Sequence, residues 1–222
     1  MENSGVGRSS NRPSVAASRA RRPLDWVQYR LADDCCARVT DSSNLLCHPA
    51  SPCSAVPALR VVTCALAEGG LQLRFELRAQ LDALRIPAPA HSGFADELWR
   101  HTCFEVFVGA SESVAYREFN FSPSGQWAAY AFTDYRQRDL SWLPSAAPYI
   151  ATQSAANGLV LEAQIPAALL PSELGNLHIG LSAVIETADG ALSYWALTHP
   201  SERPDFHQRA AFTLRLASHD TP

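Results

Sequence analysis

Several polar side chains that could bind a ligand share faces of two neighbouring candidate strands. Because alternate residues of a strand point to the same side, His101 and Glu105 project together from one strand. On the next strand, Glu118 and Asn120 share a face in the same way. Carboxylates, amides and imidazoles grouped on one sheet face can hold ligand hydroxyl groups through paired hydrogen bonds.

Aromatic side chains crowd the same part of the chain. Residues 94–142 contain 12 of the 20 aromatic residues, among them Trp99, Trp127 and Tyr130. Pyranose rings present apolar C–H patches that stack on aromatic faces, while their hydroxyl groups need planar polar partners. The combination predicts a sugar-binding surface. The alternative is that the aromatics are core and that the polar groups coat a solvated sheet face.

A second cluster follows Trp195 and contains His199, Asp205 and His207. Histidine and aspartate could ligate a metal, but two prolines and an open spacing fit no standard zinc pattern. The other interpretation is a structured loop whose histidines hydrogen-bond to backbone carbonyl groups. We therefore predict no metal site here.

Motifs of catalysis are missing from the sequence. It contains no G-x-S-x-G, H-E-x-x-H, G-x-G-x-x-G or C-x-x-C pattern. Glu105 and Glu118 could in principle serve glycoside hydrolysis as a pair, although surface acids commonly lie on neighbouring strands. The sequence therefore favours a binding protein over an enzyme.

The sequence contains no lysine and almost no methionine. All 18 basic residues are arginines, and Met1 is the only methionine. A P-loop lysine and a lysine Schiff base with pyridoxal phosphate are therefore excluded. An internal axial methionine for haem or blue copper is excluded as well.

Charge is distributed unevenly along the 222 residues. Residues 1–23 carry five arginines against one acid, and the remainder carries 13 basic and 21 acidic residues. An acidic body repels phosphate backbones, so we expect no nucleic-acid partner. The arginine- and serine-rich N-terminal segment, residues 1–23, is expected to be a disordered tail.

Period-two alternation of apolar residues dominates the chain after residue 57, and turn residues bound each segment. Ten segments are predicted to be strands: 59–66, 71–78, 102–108, 115–121, 126–132, 149–154, 159–165, 179–186, 192–197 and 210–216. A further strand is possible at 26–31, and the one short helical candidate is 166–174. The pattern predicts an all-β protein, an antiparallel β-sandwich of about ten strands.

The domain organisation follows from these patterns. We predict a single domain over residues 24–217 and a short tail over 218–222. No apolar run approaches the length of a membrane span, and residues 1–30 lack the apolar core of a secretory signal. The six cysteines are expected to be reduced thiols, which predicts a cytoplasmic protein without a membrane partner.

Three segments together resemble the signature of DOMON-like domains, which are related to family 9 carbohydrate-binding modules. These segments are ELWRHTCFEVF at 97–107, YREFNFSPSGQW at 116–127, and YWAL at 194–197 with the following HP and PDFH motifs. The likeness covers roughly residues 24–217 and implies a β-sandwich that binds a sugar or haem. It places Trp99 where the module family has an aromatic residue and Glu105 where that family has an acid.

The leading hypothesis is a non-catalytic domain that binds a carbohydrate or a sugar-like small molecule. Trp99, Trp127 and Trp195 are the candidates for stacking. The candidates for polar contacts are Glu105, Asn120, Arg136, Tyr130, His101, His199 and His207.

The first alternative is haem-dependent electron transfer with His101, His199 or His207 as axial ligands. Without an internal methionine only bis-histidine or histidine–cysteine ligation remains, which disfavours haem. The second alternative is an interaction domain without a small ligand.

Overall fold

Two β-sheets account for nearly all regular structure in residues 36–171 and 176–217, the part of the chain that the computed structural model describes. The strands are β1 (Cys36–Asn44), β2 (Leu46–Cys47), β3 (Ala58–Leu66), β4 (Leu71–Arg78), β5 (Gly93–Phe94), β6 (Cys103–Ala110), β7 (Tyr116–Phe121), β8 (Gln126–Asp134), β9 (Gln137–Arg138), β10 (Tyr149–Ala155), β11 (Gly158–Ile165), β12 (Asn176–Glu186), β13 (Leu192–Ala196) and β14 (Leu214–Ala217).

The strands form one five-stranded and one nine-stranded sheet. The five-stranded sheet has the order β1-β3-β4-β11-β10. The nine-stranded sheet follows the path β2-β13-β12-β6-β7-β8-β5, with β14 added to β12 and β9 added to β8. All pairs are antiparallel except β5 with β8. The predicted all-β antiparallel sandwich is confirmed.

The main core lies between the two sheets and follows the predicted alternation. Phe75 of β4 meets Phe104 of β6 across the layers, with ring centroids 5.0 Å apart. Phe104, Val106 and Val108 are fully buried in this core, as strand parity predicts. The opposite face of β6 is therefore free to carry other side chains.

The alternation of apolar and polar residues over 71–78 predicts one buried and one solvated face, and the second part of this prediction is wrong. Gln72, Arg74 and Glu76 are buried, with only 5–8 % of their surface exposed. Arg78, at the end of the strand, is the polar residue of this face that is open to solvent. Strand β4 lies in the middle of its sheet, where Arg60 of β3 pairs with Glu76 and Glu162 of β11 pairs with Arg74. Arg74 is neutralised there by an ion pair of 3.0 Å with Glu76.

Residues 203–212, here called the covering segment, pack on the outer face of the nine-stranded sheet, where β6 and β12 each contribute a glycine. A Cβ atom on Gly109 would lie 1.8 Å from the Arg209 guanidinium, and one on Gly180 would lie 2.7 Å from the Phe212 ring. Phe212 is therefore buried in a second apolar cluster together with Phe107. The two glycines create the room in which the segment packs.

Most predicted strands match observed ones to within three residues at their ends. The exception is 210–216, which becomes a strand only at Leu214 because a single 3-10 turn occupies Arg209–Ala211. Four further strands, the short β2, β5 and β9 and the polar β1, show no clear alternation, so periodicity does not predict them.

Helical structure in the described residues consists of single 3-10 turns at Leu81–Ala83, Leu98–Arg100, Ala167–Leu169 and Arg209–Ala211. The helix predicted at 166–174 is thus one turn in its described part. Across the described residues, no helix has the length and apolar character needed to cross a membrane. The expected tails and the strand at 26–31 lie outside the described residues.

The cysteines whose side chains the structure describes fall into two groups. Cys47, Cys53 and Cys103 carry free thiols, whereas Cys64 is disulfide-bonded. The expectation of reduced thiols throughout is therefore wrong for Cys64, and the cytoplasmic location stays a prediction.

Candidate ligand-binding site

A cavity of about 840 Å³ opens on the outer face of the nine-stranded sheet. Its floor is made by β6, β7 and β8, and one side is formed by Tyr194 on β13. Three further segments complete it: residues 96–100, the β8–β9 hairpin, and residues 203–207 of the covering segment. A cavity of this size is adequate for a small ligand.

Two buried carboxyl groups form the floor. Glu105 pairs in register with Asn120, and Phe107 pairs with Glu118, so the two glutamates are diagonal neighbours on one sheet face. They are only 3 % and 5 % exposed. Burial raises the pKa of Glu105 well above its usual range, and the nearby charge of Glu118 adds to the shift. Burial likewise raises the pKa of Glu118 to about 7.

Neutral hydrogen-bond donors orient these carboxyl groups. Asn120 donates from Nδ2 to Glu118 Oε1 at 2.7 Å, and Ser182 Oγ donates to Glu105 Oε2 at 3.3 Å. The Cys103 thiol lies 3.6 Å from the amide oxygen of Asn120, which fits a weak hydrogen bond. Asn120 is fully buried beneath the floor, so its contribution is to position Glu118.

A tyrosine–histidine pair extends the polar network beside Glu118. Tyr116 Oη accepts a hydrogen bond from the Arg136 backbone N at 3.1 Å, so its own proton is available to His207 Nδ1 at 2.8 Å. Burial lowers the pKa of His207 to about 4, with the charge of Arg136 adding to the shift. The ring is therefore neutral near pH 7, and its Nε2 lies 3.7 Å from Glu118 Oε2.

Charged residues at the rim are held by ion pairs and ring contacts. Arg136 Nη2 lies 2.9 Å from Asp205 Oδ1, and Tyr135 Oη donates to Oδ2 of the same carboxylate at 2.6 Å. On the same side, Arg138 lies over the Tyr130 ring, 4.1 Å from its centroid. Tyr130 in turn donates its hydroxyl proton to Asp96, which lowers the pKa of that carboxyl.

Aromatic surface borders the mouth of the cavity. Trp99 is 44 % exposed, which is unusual for so large an apolar side chain, and the Arg100 guanidinium lies 5.5 Å from its ring centroid. Tyr194 and Phe206 also line the cavity, and their ring centroids lie 6.0 Å apart. The site thus combines flat apolar rings with buried carboxyl groups.

The structure brings half of the predicted site residues together. The cavity is lined by Trp99, Glu105, Tyr130, Arg136 and His207. Their part in ligand binding stays a prediction, since the geometry establishes only their common position.

The other five predicted residues do not line this cavity: His101, Asn120, Trp127, Trp195 and His199. Trp127 is three positions from Tyr130 and therefore on the opposite face, where it is buried in the main core. Trp195 is likewise in the core next to Tyr194, and its indole N–H donates to Ser193 Oγ at 3.0 Å. A stacking role for these two tryptophans is therefore wrong.

The two remaining histidines are held elsewhere. Strand β6 begins at Cys103, so strand parity does not extend to His101, whose Nδ1 lies 2.7 Å from Glu186 Oε2. His199 Nε2 lies 2.7 Å from the Leu46 carbonyl oxygen, and burial lowers its pKa. This contact fits the alternative to a metal site, in which the histidines of the loop hydrogen-bond to backbone carbonyl groups.

The candidate haem ligands do not converge. Only His207 of the three histidines lines the cavity, and its Nδ1 is engaged by Tyr116. The described residues contain no group of three or more histidine, cysteine and acidic side chains arranged to hold a metal ion. The residues present do not fit a bis-histidine haem site.

Several cavity residues were not among the predicted site residues: Asp96, Arg138, Tyr194, Arg203 and Phe206. Parity was a usable signal for Tyr194, because a strand whose Trp195 faces the core must turn Tyr194 outward. No such signal exists for Asp96 or Arg203, which lie outside the strands.

Comparison with known proteins supports the fold. No protein-family model and no curated protein matches the sequence. Among solved structures, the chain is similar to a proposed carbohydrate-binding protein from Bacteroides uniformis, with a TM-score of 0.59 and 16 % identity over 78 % of this chain and 84 % of that one.

It is also similar to a family 9 carbohydrate-binding module from Caldicellulosiruptor kristjanssonii that was solved with cellotriose. The TM-score is 0.52 and the identity 8 %, over 78 % of this chain and 80 % of that one. At these identities the likeness establishes the sandwich fold alone. The resemblance to DOMON-like domains stays a prediction.

Proposed function

We propose that this domain binds a carbohydrate in the cavity on the outer face of the nine-stranded sheet, without catalysing a reaction. The observation that carries the proposal is the pairing of an exposed tryptophan at the cavity mouth with two buried carboxyl groups on its floor. Neither feature is needed to hold a β-sandwich together, and burying carboxyl groups without ion pairs is costly.

The chemistry of the cavity suits a sugar ring. Trp99 offers a flat surface on which the C–H face of a pyranose can stack. Glu118 can accept hydrogen bonds from two adjacent hydroxyl groups, whereas a protonated Glu105 can both donate and accept. Tyr130 and Arg136 add further polar groups at the edge.

Similarity to carbohydrate-binding proteins supports the same proposal. The two similar structures are described as carbohydrate-binding, and the second holds cellotriose. Binding without catalysis is favoured because the sequence contains none of the catalytic motifs considered. His207, the histidine nearest the carboxyl pair, is also neutral and engaged by Tyr116.

A glycan-array screen followed by calorimetry with mono- and disaccharides tests this proposal. We expect at least one sugar to bind, and Trp99→Ala to weaken its binding by roughly tenfold through loss of stacking. Tyr149→Ala is the matched control, because this exposed aromatic residue lies on β10 of the other sheet.

Two outcomes would contradict the proposal that a carbohydrate binds in this cavity. One is that no sugar on the array binds or gives heat. The other is that Trp99→Ala and Tyr149→Ala bind the sugar equally well. Recovery of the bound sugar unchanged after long incubation supports binding without catalysis. Conversion of the sugar would contradict the absence of catalysis but not the binding.

A further inference from the structure

Four arginines converge on the cavity from three separate segments. Arg100 comes from the turn at Leu98–Arg100, Arg136 and Arg138 come from the β8–β9 hairpin, and Arg203 comes from the covering segment. They line one cavity in a protein whose net charge is −4. The cavity mouth is therefore richer in positive charge than the protein as a whole.

Two of these arginines are already neutralised. Arg100 Nη2 lies 2.7 Å from Glu97 Oε1, and Arg136 is paired with Asp205. For Arg138 and Arg203, the described part of the chain offers no carboxylate within 4.0 Å. These two guanidinium groups are thus available to a ligand.

A ring contact holds Arg138 without using its hydrogen-bond donors. Its guanidinium lies 4.1 Å from the Tyr130 ring centroid. A cation over an aromatic face is oriented by the ring while its N–H groups stay free for a partner in the plane. Arg138 is therefore pre-positioned at the rim.

The acids of the cavity do not cancel this charge. Glu97 is paired with Arg100, and burial raises the pKa of Glu105 well above its usual range, which favours the neutral form of that carboxyl. Glu118, with its pKa raised to about 7, is only partly ionised near neutral pH. Asp96 is near Arg138 but outside ion-pairing distance. It therefore offsets part of the positive charge of Arg138 but leaves the guanidinium groups of Arg138 and Arg203 free to bind an anion.

We propose that the sugar bound in this cavity carries a carboxylate or phosphate group, which Arg138 and Arg203 hold at the rim while the ring hydroxyls face the floor. This inference rests on the proposed carbohydrate binding. A guanidinium presents two parallel N–H donors that match two oxygens of a carboxylate or phosphate, and such charged hydrogen bonds are stronger than neutral ones.

Calorimetry with matched pairs of sugars tests the inference. Glucuronic acid against glucose isolates the carboxylate, and glucose 6-phosphate against glucose isolates the phosphate, so the better of the two identifies the anionic group. We expect one of the anionic sugars to bind at least about tenfold more tightly than glucose, and this ratio to fall at high salt.

Substitution of the two open arginines assigns the effect to them. In the Arg138→Gln, Arg203→Gln double variant the ratio of affinities is expected to fall to about one. The Arg60→Gln, Arg215→Gln double variant is the matched control, because these exposed arginines on β3 and β14 remove two positive charges away from the cavity, and it should keep the preference.

The possible outcomes distinguish this inference from the proposed carbohydrate binding on which it rests. Glucose binding as tightly as both anionic sugars overturns the inference and leaves carbohydrate binding intact. A preference that survives in the double variant overturns the assignment to Arg138 and Arg203. If no neutral or anionic sugar binds, carbohydrate binding itself fails.

Discussion

Glu118 is buried and the neighbouring His207 is partly buried, and the two side chains respond to pH in opposite directions. Glu118 has its pKa raised from 4.5 to about 7, so the stability that its proton contributes is full below pH 4.5 and is lost as the pH rises through 7. His207 has its pKa lowered from 6.5 to about 4, so its contribution is full above pH 6.5 and is lost as the pH falls through 4. Between about pH 4.5 and 6.5 the two effects oppose each other.

Glu118→Gln should separate the two effects, because the amide keeps the oxygen that accepts from Asn120 but cannot ionise. The free energy of unfolding of the variant, relative to wild type, is expected to rise between about pH 4.5 and 7. The slope should approach roughly 1 kcal/mol per pH unit. Urea denaturation at a series of pH values measures this difference.

Glu68→Gln is the matched control for this series, since Glu68 is an exposed carboxyl in the turn between β3 and β4. Its stability difference from wild type should show no comparable trend with pH. A Glu118→Gln difference that stays constant over the same range would contradict the account of the buried carboxyl.

At the scale of elements, the covering segment and the nine-stranded sheet depend on each other through two glycines. Gly180 of β12 lies directly beneath the Phe212 ring, and Gly109 of β6 lies beneath the Arg209 guanidinium. Arg209 also donates to the carbonyl oxygens of Ala110 and Ser113. This packing fixes the segment that carries Arg203 and His207 into the cavity.

Gly180→Ala is therefore expected to destabilise the fold by roughly 1–3 kcal/mol, because its Cβ would lie 2.7 Å from a buried ring. Gly93→Ala is the matched control, since nothing lies within 4 Å of a Cβ at that position. Urea denaturation of both variants gives the comparison. Equal stability of the two variants would show that the close packing over Gly180 carries no cost.

Strand alternation explains why much of the sheet architecture could be predicted and part of the site could not. Parity correctly assigned Phe104 to the core and turned Glu105 outward, because a strand has only two faces. It failed for Gln72 and Arg74, because burial of a polar face depends on which strands lie alongside. That information is not contained in the strand itself.

At the scale of the whole molecule, the cavity exists only when distant parts of the chain meet. Its residues come from positions 96–100, from the β8–β9 hairpin, and from 203–207, none of which is adjacent in sequence to the others. Alternation of apolar residues carries no information about the positions of loops, so the sequence does not place Asp96 and Arg203 in the cavity. The size of Trp127 and Trp195 suggests a stacking role, whereas both pack in the core of the fold.

The most direct test of the central claim follows the tryptophan indole N–H signals by NMR while glucose, galactose and glucuronic acid are each titrated in. We expect a binding sugar to shift the Trp99 signal, because that side chain is 44 % exposed at the cavity mouth. The signals of Trp127 and Trp195, both buried in the core, should stay in place. A sugar that binds and shifts other tryptophans while Trp99 does not move would contradict the assignment of this cavity as the binding site.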